Sequence, residues 1–332
     1  MIAVWSGLAA LLFCFIGALF LFTHSRTRRI EARFPAVGAL VDTGGGVLHV
    51  VEQAPVAPER GAVLLVHGAS GNHADMMVAL GPRLAKLGFR AIAIDRPGHG
   101  WSSRSGRHHS SPARQAAFIR EALARHGVSQ AIVVVHSWAG ALGLAMALEA
   151  PEFTRALVLL APATHPWPGG VSWYYPLATA PGVGWLFRHF LVMPAGLMTM
   201  GAGVASVFAP GAPPAHYTET TKLPLVLRPA HFLANAEDVV DLKPFVTEWA
   251  PRYGQIRTPT VIVTGDRDEI VYAHIHSLGC ARDIPGAVLT TLAGVGHSPH
   301  HTAPDAVIAA IIEAERRALG GAPVSQIAES PA

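Results

Sequence analysis

Cysteine is almost missing from this chain of 332 residues: only Cys14 and Cys280 occur, far apart and in different surroundings. Two thiols so placed support neither a disulfide framework nor a cysteine metal site. Charge is scarce as well, with Lys, Arg, Asp and Glu making up 14% of the chain and a formal net charge of +3. Arg26, Arg28 and Arg29 follow an apolar run with no acid before Glu31, and without those three the remainder is neutral. A neutral remainder offers no basic face to a nucleic acid. No Lys or Arg precedes the first apolar run, so the basic n-region of a cleaved leader is lacking. What the chain does have is apolar residues (51%), 33 Gly and 26 Pro, enough for one large α/β domain or two small ones with a sizeable core. The 18 His include the pairs His108-His109 and His300-His301. They read as exposed or satisfied by neighbours, and their number alone implies no function.

The first apolar run, Ile2 to Phe22, is broken only by Ser6, Gly7, Cys14 and Gly17. As a helix it spans ~30 Å, the thickness of a bilayer core. Leu21-Phe22-Thr23-His24 is a poor cleavage site, so an uncleaved single-pass anchor is expected over residues 1–30 with its basic flank. Residues 26–35 read as a juxtamembrane linker. The arginines come after the helix, which places the remainder on the cytoplasmic side.

The centre of the sequence is Ala131-Ile-Val-Val-Val-His-Ser-Trp-Ala-Gly-Ala-Leu-Gly. Its β-branched start reads as a strand buried on both faces, and its small-residue continuation as a helix. Ser137 stands at the corner. A hydroxyl projected there, with free helix N–H groups beyond it, is what a nucleophilic serine needs. Against the G-x-S-x-G pattern, Val135 and Ala139 replace both glycines. The residue patterns before and after this stretch agree on an alternation of strands and helices. A hairpin is read around Thr43-Gly-Gly-Gly46 and a strand over 61–66 running into His67-Gly-Ala-Ser-Gly-Asn72. A strand over 91–94 ends in a rigid turn at Asp95-Arg-Pro-Gly-His-Gly100, and Ser111-Pro112 caps a helix that Gly127 stops. Strands follow at 156–160, 259–264 and 287–292, and a helix at 304–319. The expected fold class is therefore α/β, a mostly parallel central sheet with helices on both faces.

Four blocks in this order resemble the α/β-hydrolase superfamily, in its branch of serine esterases, lipases and lid-bearing relatives. They are Leu64-Leu-Val-His-Gly-Ala69, Asp95-Arg-Pro-Gly-His-Gly-Trp-Ser102, Val135-His-Ser-Trp-Ala-Gly140, and the late pair Thr264-Gly-Asp-Arg-Asp268 with Gly294-Val-Gly-His-Ser298. The resemblance implies core segments at 31–162 and 251–320, a helical lid insert at 163–250 and a disordered tail at 321–332. It also implies a triad of Ser137, Asp268 and His297, with Asp266 the alternative acid, and an oxyanion hole from the N–H groups of Ala69 and Trp138. No metal or cofactor is expected. Ser in place of Asp at the elbow argues against the epoxide-hydrolase and dehalogenase branches.

The insert is apolar and aromatic, from Trp167 through Trp173, Tyr174, Tyr175 and Trp185 to Phe190 and beyond. A second span at 190–209 is disfavoured by Pro194 and interior glycines. The expectation is a membrane-anchored serine hydrolase of carboxylic esters with apolar acyl groups, lipids among them. A cofactor-free perhydrolase or acyltransferase on the same triad is the alternative, as is an inactive scaffold. The sequence leaves the oligomeric state open.

Overall fold

The computed structural model describes residues 2–320; the expected tail at 321–332 lies outside them. The chain opens with one long helix, α1 (Ile2–Arg33), and then enters the hairpin β1 (Ala39–Asp42) and β2 (Val47–Gln53). There follow β3 (Gly61–Val66), α2 (His73–Lys86), β4 (Phe89–Ile94), α3 (Pro112–Arg125), β5 (Ala131–His136), α4 (Ala139–Glu149) and β6 (Thr154–Leu160). An insert carries α5 (Tyr174–Thr179), α6 (Val183–Leu186), α7 (Val192–Phe208), α8 (Tyr217–Thr220) and α9 (Pro229–Trp249). The fold closes with β7 (Thr260–Gly265), α10 (Ser277–Asp283), β8 (Val288–Leu292), α11 (Pro299–Thr302) and α12 (Pro304–Ala318).

The sheet has eight strands in the order β1-β2-β4-β3-β5-β6-β7-β8. Only β2 runs against its neighbours; from β4 to β8 every pairing is parallel. Parallel strands need helical crossovers, and these cover both faces. Alternate residues of each strand therefore enter different cores. Val133, Val135, Leu157 and Leu159 meet Phe118, Ile119 and Leu123 of α3 and the apolar face of α4. Ile132, Val134, Val158 and Leu160 meet Leu80 and Leu84 of α2 and Val307 and Ile311 of α12. Each such side chain, wholly withdrawn from water, contributes ~1.5–3 kcal/mol. This is why the strands read as unbroken apolar runs and not as alternating ones.

Three local expectations need correction. Residues 26–35 are no linker, because α1 continues unbroken to Arg33. Its last turn is held by Ile30, which packs with Phe34 on Val192, Met193 and Leu225–Leu227 of the insert, so the boundary at residue 30 falls inside a packed helix. Ser111 precedes α3, yet its side chain makes no capping bond; Pro112 sets the start, since its missing N–H is one the first turn does not need. In the insert, Pro194 and the glycines do not break the apolar helix. Residues Val183–Phe208 form one helical run, long and apolar enough by composition to cross a membrane. Pro194 sits in the first turn of α7, after a π-type turn at Phe187–Leu191, where no N–H is required of it. The run nonetheless lies on the protein, with Val192, Met193, Val204 and Phe208 buried.

Candidate active site

Between the end of β5 and the start of α4 the chain turns within Ser137 and Trp138. Ser137 takes φ 54°, a region that costs a residue with a Cβ about 1–2 kcal/mol and persists only where its surroundings enforce it. They do: its N–H donates to the Leu160 carbonyl at 2.9 Å, and its own carbonyl accepts from Gly140 and Ala163 at 2.8 and 2.9 Å. Val135 fits beneath this corner because the space has moved to the helix. A Cβ on Gly143 would stand 2.8 Å from Val135 Cγ2, and one on Gly140 2.6 Å from Pro162 Cβ. Bulk at Val135 on the strand is matched by Gly143 in α4, while Gly140 makes room for Pro162.

The Ser137 Oγ lies 2.9 Å from His297 Nε2, and His297 Nδ1 lies 2.7 Å from Asp268 Oδ2. All three residues are buried. The other Asp268 oxygen accepts from the Ile270 and Val271 N–H groups, both at 2.9 Å. With Nδ1 donating to a carboxylate, Nε2 is left to accept from the hydroxyl. Asp266 does not reach the imidazole. It accepts from the Gly294 N–H at 2.7 Å and remains exposed, tying the turn after β7 to the loop that carries His297. The His297 loop is held from two further sides: His136 Nε2 donates to the His297 carbonyl at 2.9 Å, and the His297 N–H meets the Val207 carbonyl of α7 at 3.3 Å. Burial among His300 and His297 pushes the His136 pKa well down, so it stays a neutral donor.

The N–H groups of Ala69 and Trp138 have no acceptor among the described residues. Trp138 stands at the head of α4, where helix N–H groups are unpaired. The loop bearing Ala69 runs against the corner: a Cβ on Gly68 would lie 2.9 Å from Ser137 Cβ. Two donors thus flank the serine, free to meet an oxygen.

Sequence reasoning treated Asp95–Gly100 as a turn and missed Arg96, whose only signal was a charged residue directly after a buried strand. Arg96 is wholly buried. Its guanidinium lies 4.0 Å over the Trp138 ring, donates to the carbonyls of His67 and Gly68 at 3.1 Å each, and pairs with Asp238 of α9. The Trp138 indole donates to the Asp238 carbonyl at 2.8 Å. One ion pair therefore fixes both peptide segments that carry the free N–H groups. Burial draws the Arg96 pKa below its ordinary value, partly offset by Asp238. His67 is pushed down to about 3 by burial and by Arg96 beside it; it accepts the Arg96 N–H on Nε2 at 3.0 Å.

The reading of the histidines as mostly exposed or neighbour-satisfied holds mainly through its second half: His49, His67, His73, His99 and His136 are buried and bonded to neighbours, whereas His231 is buried with only Nδ1 engaged. Two clusters have the donor types of a metal centre, His49-His73-Asp95 and Asp75-His300-His301. In both, hydrogen bonds already link the carboxylate to the two imidazoles, at 2.6 and 3.0 Å in the first and 3.1 and 2.9 Å in the second. Asp95 also accepts from the N–H groups of His73 and Trp101. Such saturated carboxylates are held well below their usual pKa despite burial and act as struts between loops.

The insert lies over these loops. Asn235 of α9 accepts the Ser70 N–H at 2.6 Å, and the rings of Tyr174, Tyr175, Phe187 and Phe232 cluster beside it at 4.4–6.4 Å between centroids. Trp173, Trp185, Leu191 and Met198 face outward.

A family model described as the alpha/beta hydrolase fold matches residues 61–182, from β3 into the insert. The chain has the α/β-hydrolase fold. Among solved structures of this fold, a membrane phospholipase A superposes with a TM-score of 0.64 at 19% identity, covering 95% of this chain and 99% of that one. Among curated relatives, the bifunctional epoxide hydrolase 2 of Mus musculus is 37% identical over 87 residues, 24% of this chain. The chain spans only 14% of the length of that relative. The magnesium-chelatase 30 kDa subunit of Rhodobacter capsulatus is 28% identical over 77% of this chain and 87% of its own length. Relatives of this α/β hydrolase thus differ in the chemistry their names state, and the reaction has to be argued from the site.

Proposed function

We propose that this α/β hydrolase is a serine hydrolase of carboxylic esters with apolar acyl groups, membrane lipids among them, working through an acyl-enzyme. The observation that carries the reading is the hydrogen-bonded chain Ser137–His297–Asp268 at a strained strand-to-helix corner. In this reading His297 removes the Ser137 proton during attack, and Asp268 holds the imidazole tautomer and stabilises the imidazolium. The N–H groups of Trp138 and Ala69 receive the oxyanion, each worth ~3 kcal/mol in the transition state. The proton on His297 then passes to the leaving alkoxide, and water activated by the same imidazole releases the acid. No step calls on a metal or cofactor.

The second part of the proposal is that α1 anchors the protein as a single membrane span, with Arg26, Arg28 and Arg29 on the cytoplasmic side together with the catalytic domain. Outward-facing Val4, Trp5, Leu8, Phe13 and Phe15 support it, since so long an apolar face has no cover among the described residues. A p-nitrophenyl ester series on detergent-solubilised protein tests the enzymatic reading. Rates should rise from acetyl to medium chains, by up to ~0.8 kcal/mol per methylene, and vanish in Ser137→Ala. A flat or acetyl-selective profile removes the apolar acyl group from the proposal, and full activity in Ser137→Ala removes the serine.

A further inference from the structure

A cavity of about 560 Å³ lies between α1, the loop after β4 and the start of α9, and none of Ser137, Asp268 or His297 borders it. One face of α1 forms its wall: Phe20, Thr23, His24, Thr27 and Glu31 recur at helical spacing. Opposite stand Arg104, His231, Leu233 and Glu237.

The polar atoms around this space are incompletely used. Thr23 Oγ1, Thr27 Oγ1, Arg104 Nε and Nη2, and His231 Nε2 are all buried and make no hydrogen bond. His231 is itself 2% exposed. Its Nδ1 accepts the Gly100 N–H at 3.2 Å, so the ring proton is on Nε2, and the idle atom is a donor. Arg104 spends Nη1 on the Ala234 carbonyl and Asp238, at 3.1 and 2.8 Å, which leaves Nε–H idle as well. The idle set is thus three N–H-bearing nitrogens, on Arg104 and His231, and two hydroxyls, with no group that can only accept. An oxygen-rich anion is the chemistry that satisfies it. Each of the two acids at the cavity faces a cation: Glu31 pairs with Arg228 at 3.2 Å, and Glu237 lies 3.3 Å from Arg104 Nη2, leaving Arg104 Nε on the open side. Burial also raises the Glu237 pKa, which weakens its repulsion of an anion.

The other end of the cavity is apolar. Phe20 meets the rings of Trp185 and Phe190 at 6.3 and 5.8 Å, and beyond it α1 presents exposed Ile16 and Phe13. An oxyanion seated at Arg104 and His231 therefore has an apolar track leading away from it along the helix. We propose that this cavity is a binding site, separate from Ser137, for an amphiphile with a carboxylate or phosphate head and an apolar chain.

The test uses the full chain in maltoside micelles, titrated with dodecanoate, dodecyl phosphate, inorganic phosphate and dodecanol. Dodecanoate or dodecyl phosphate should bind at least tenfold more tightly than inorganic phosphate or dodecanol, and the stronger of the two identifies the head. That affinity should fall about tenfold in Thr23→Val/Thr27→Val and in Leu233→Trp, which fills the space, and should persist in Ser137→Ala. Unchanged binding in both cavity variants, equal binding of dodecanol, or inorganic phosphate binding as tightly as its dodecyl ester each overturns the proposal. A fatty acid bearing a photoreactive diazirine, applied to the wild-type chain, should mark residues 20–31 or 228–237; marks confined elsewhere also overturn it.

Discussion

Ser137 occupies a backbone region that its own Cβ disfavours, and the backbone groups of Leu160, Gly140 and Ala163 keep it there by hydrogen bonds. The exchange of space between Val135 and Gly143 can be tested as a pair. Gly143→Ala should destabilise the protein by ~1–3 kcal/mol through overpacking. Val135→Ala in the same chain should recover part of that loss, the rest being the contact with Leu157; equal urea midpoints for the single and double variants would show that Gly143 and Val135 do not share the space. The two carboxylates after β7 separate by role in the same way. Asp268→Asn should keep the fold and lower kcat by ~10⁴, since an amide permits the wrong imidazole tautomer. Asp266→Asn should cost ~1 kcal/mol of stability with activity retained, because a neutral amide oxygen is a weaker acceptor for the Gly294 N–H than the carboxylate. Rates and thermal midpoints of both variants decide this, and the reverse pattern would move the acid to Asp266. These positions were legible in the sequence because each sits just past a buried apolar run, where a strand must end. Arg96 and Asp238 were not legible as partners: they are 142 residues apart, and only the fold brings them together.

Among the elements, the strands were the easiest to read, since burial on both faces leaves continuous Val, Ile and Leu. The helices of the insert and the end of α1 were harder. Their apolar residues serve contact with each other, and composition alone does not distinguish that from contact with lipid. Ile30 and Phe34 belong to a small core with Val192, Met193, Leu225 and Leu227. A chain lacking residues 1–19 should therefore keep the thermal midpoint of the full protein. One lacking residues 1–34 should melt several degrees lower, because it uncovers that core. Equal midpoints would mean that α1 contributes nothing to the fold. The helix α9 is likewise divided. Its start packs within the insert, while Leu242 and Val246 enter the main core beneath the sheet, so this one helix fastens the insert to the domain.

For the whole molecule, the buried histidines set a pH limit. His276 accepts the N–H groups of Thr164 and His165 on Nδ1, both at 3.1 Å, and burial pushes its pKa down to about 4. His67 is lower still, at about 3. An unfolded histidine titrates near 6.5. The unfolded chain therefore binds protons first as pH falls, and stability that is complete above pH 7 is lost between about 6.5 and 4, by up to ~1.4 kcal/mol per pH unit for each such residue. Thermal midpoints taken from pH 8 to pH 4 should show this decline, with a shallower slope in His276→Gln; a midpoint that rises on acidification would contradict it.

The central claim for the molecule is that Ser137 is a nucleophile driven by His297. A fluorophosphonate probe followed by intact mass and peptide mapping tests it most directly. One adduct per chain is expected, on Ser137, absent in Ser137→Ala and slowed by several orders of magnitude in His297→Ala. No adduct on the folded wild-type protein, or an adduct on another residue at the same rate, would contradict it.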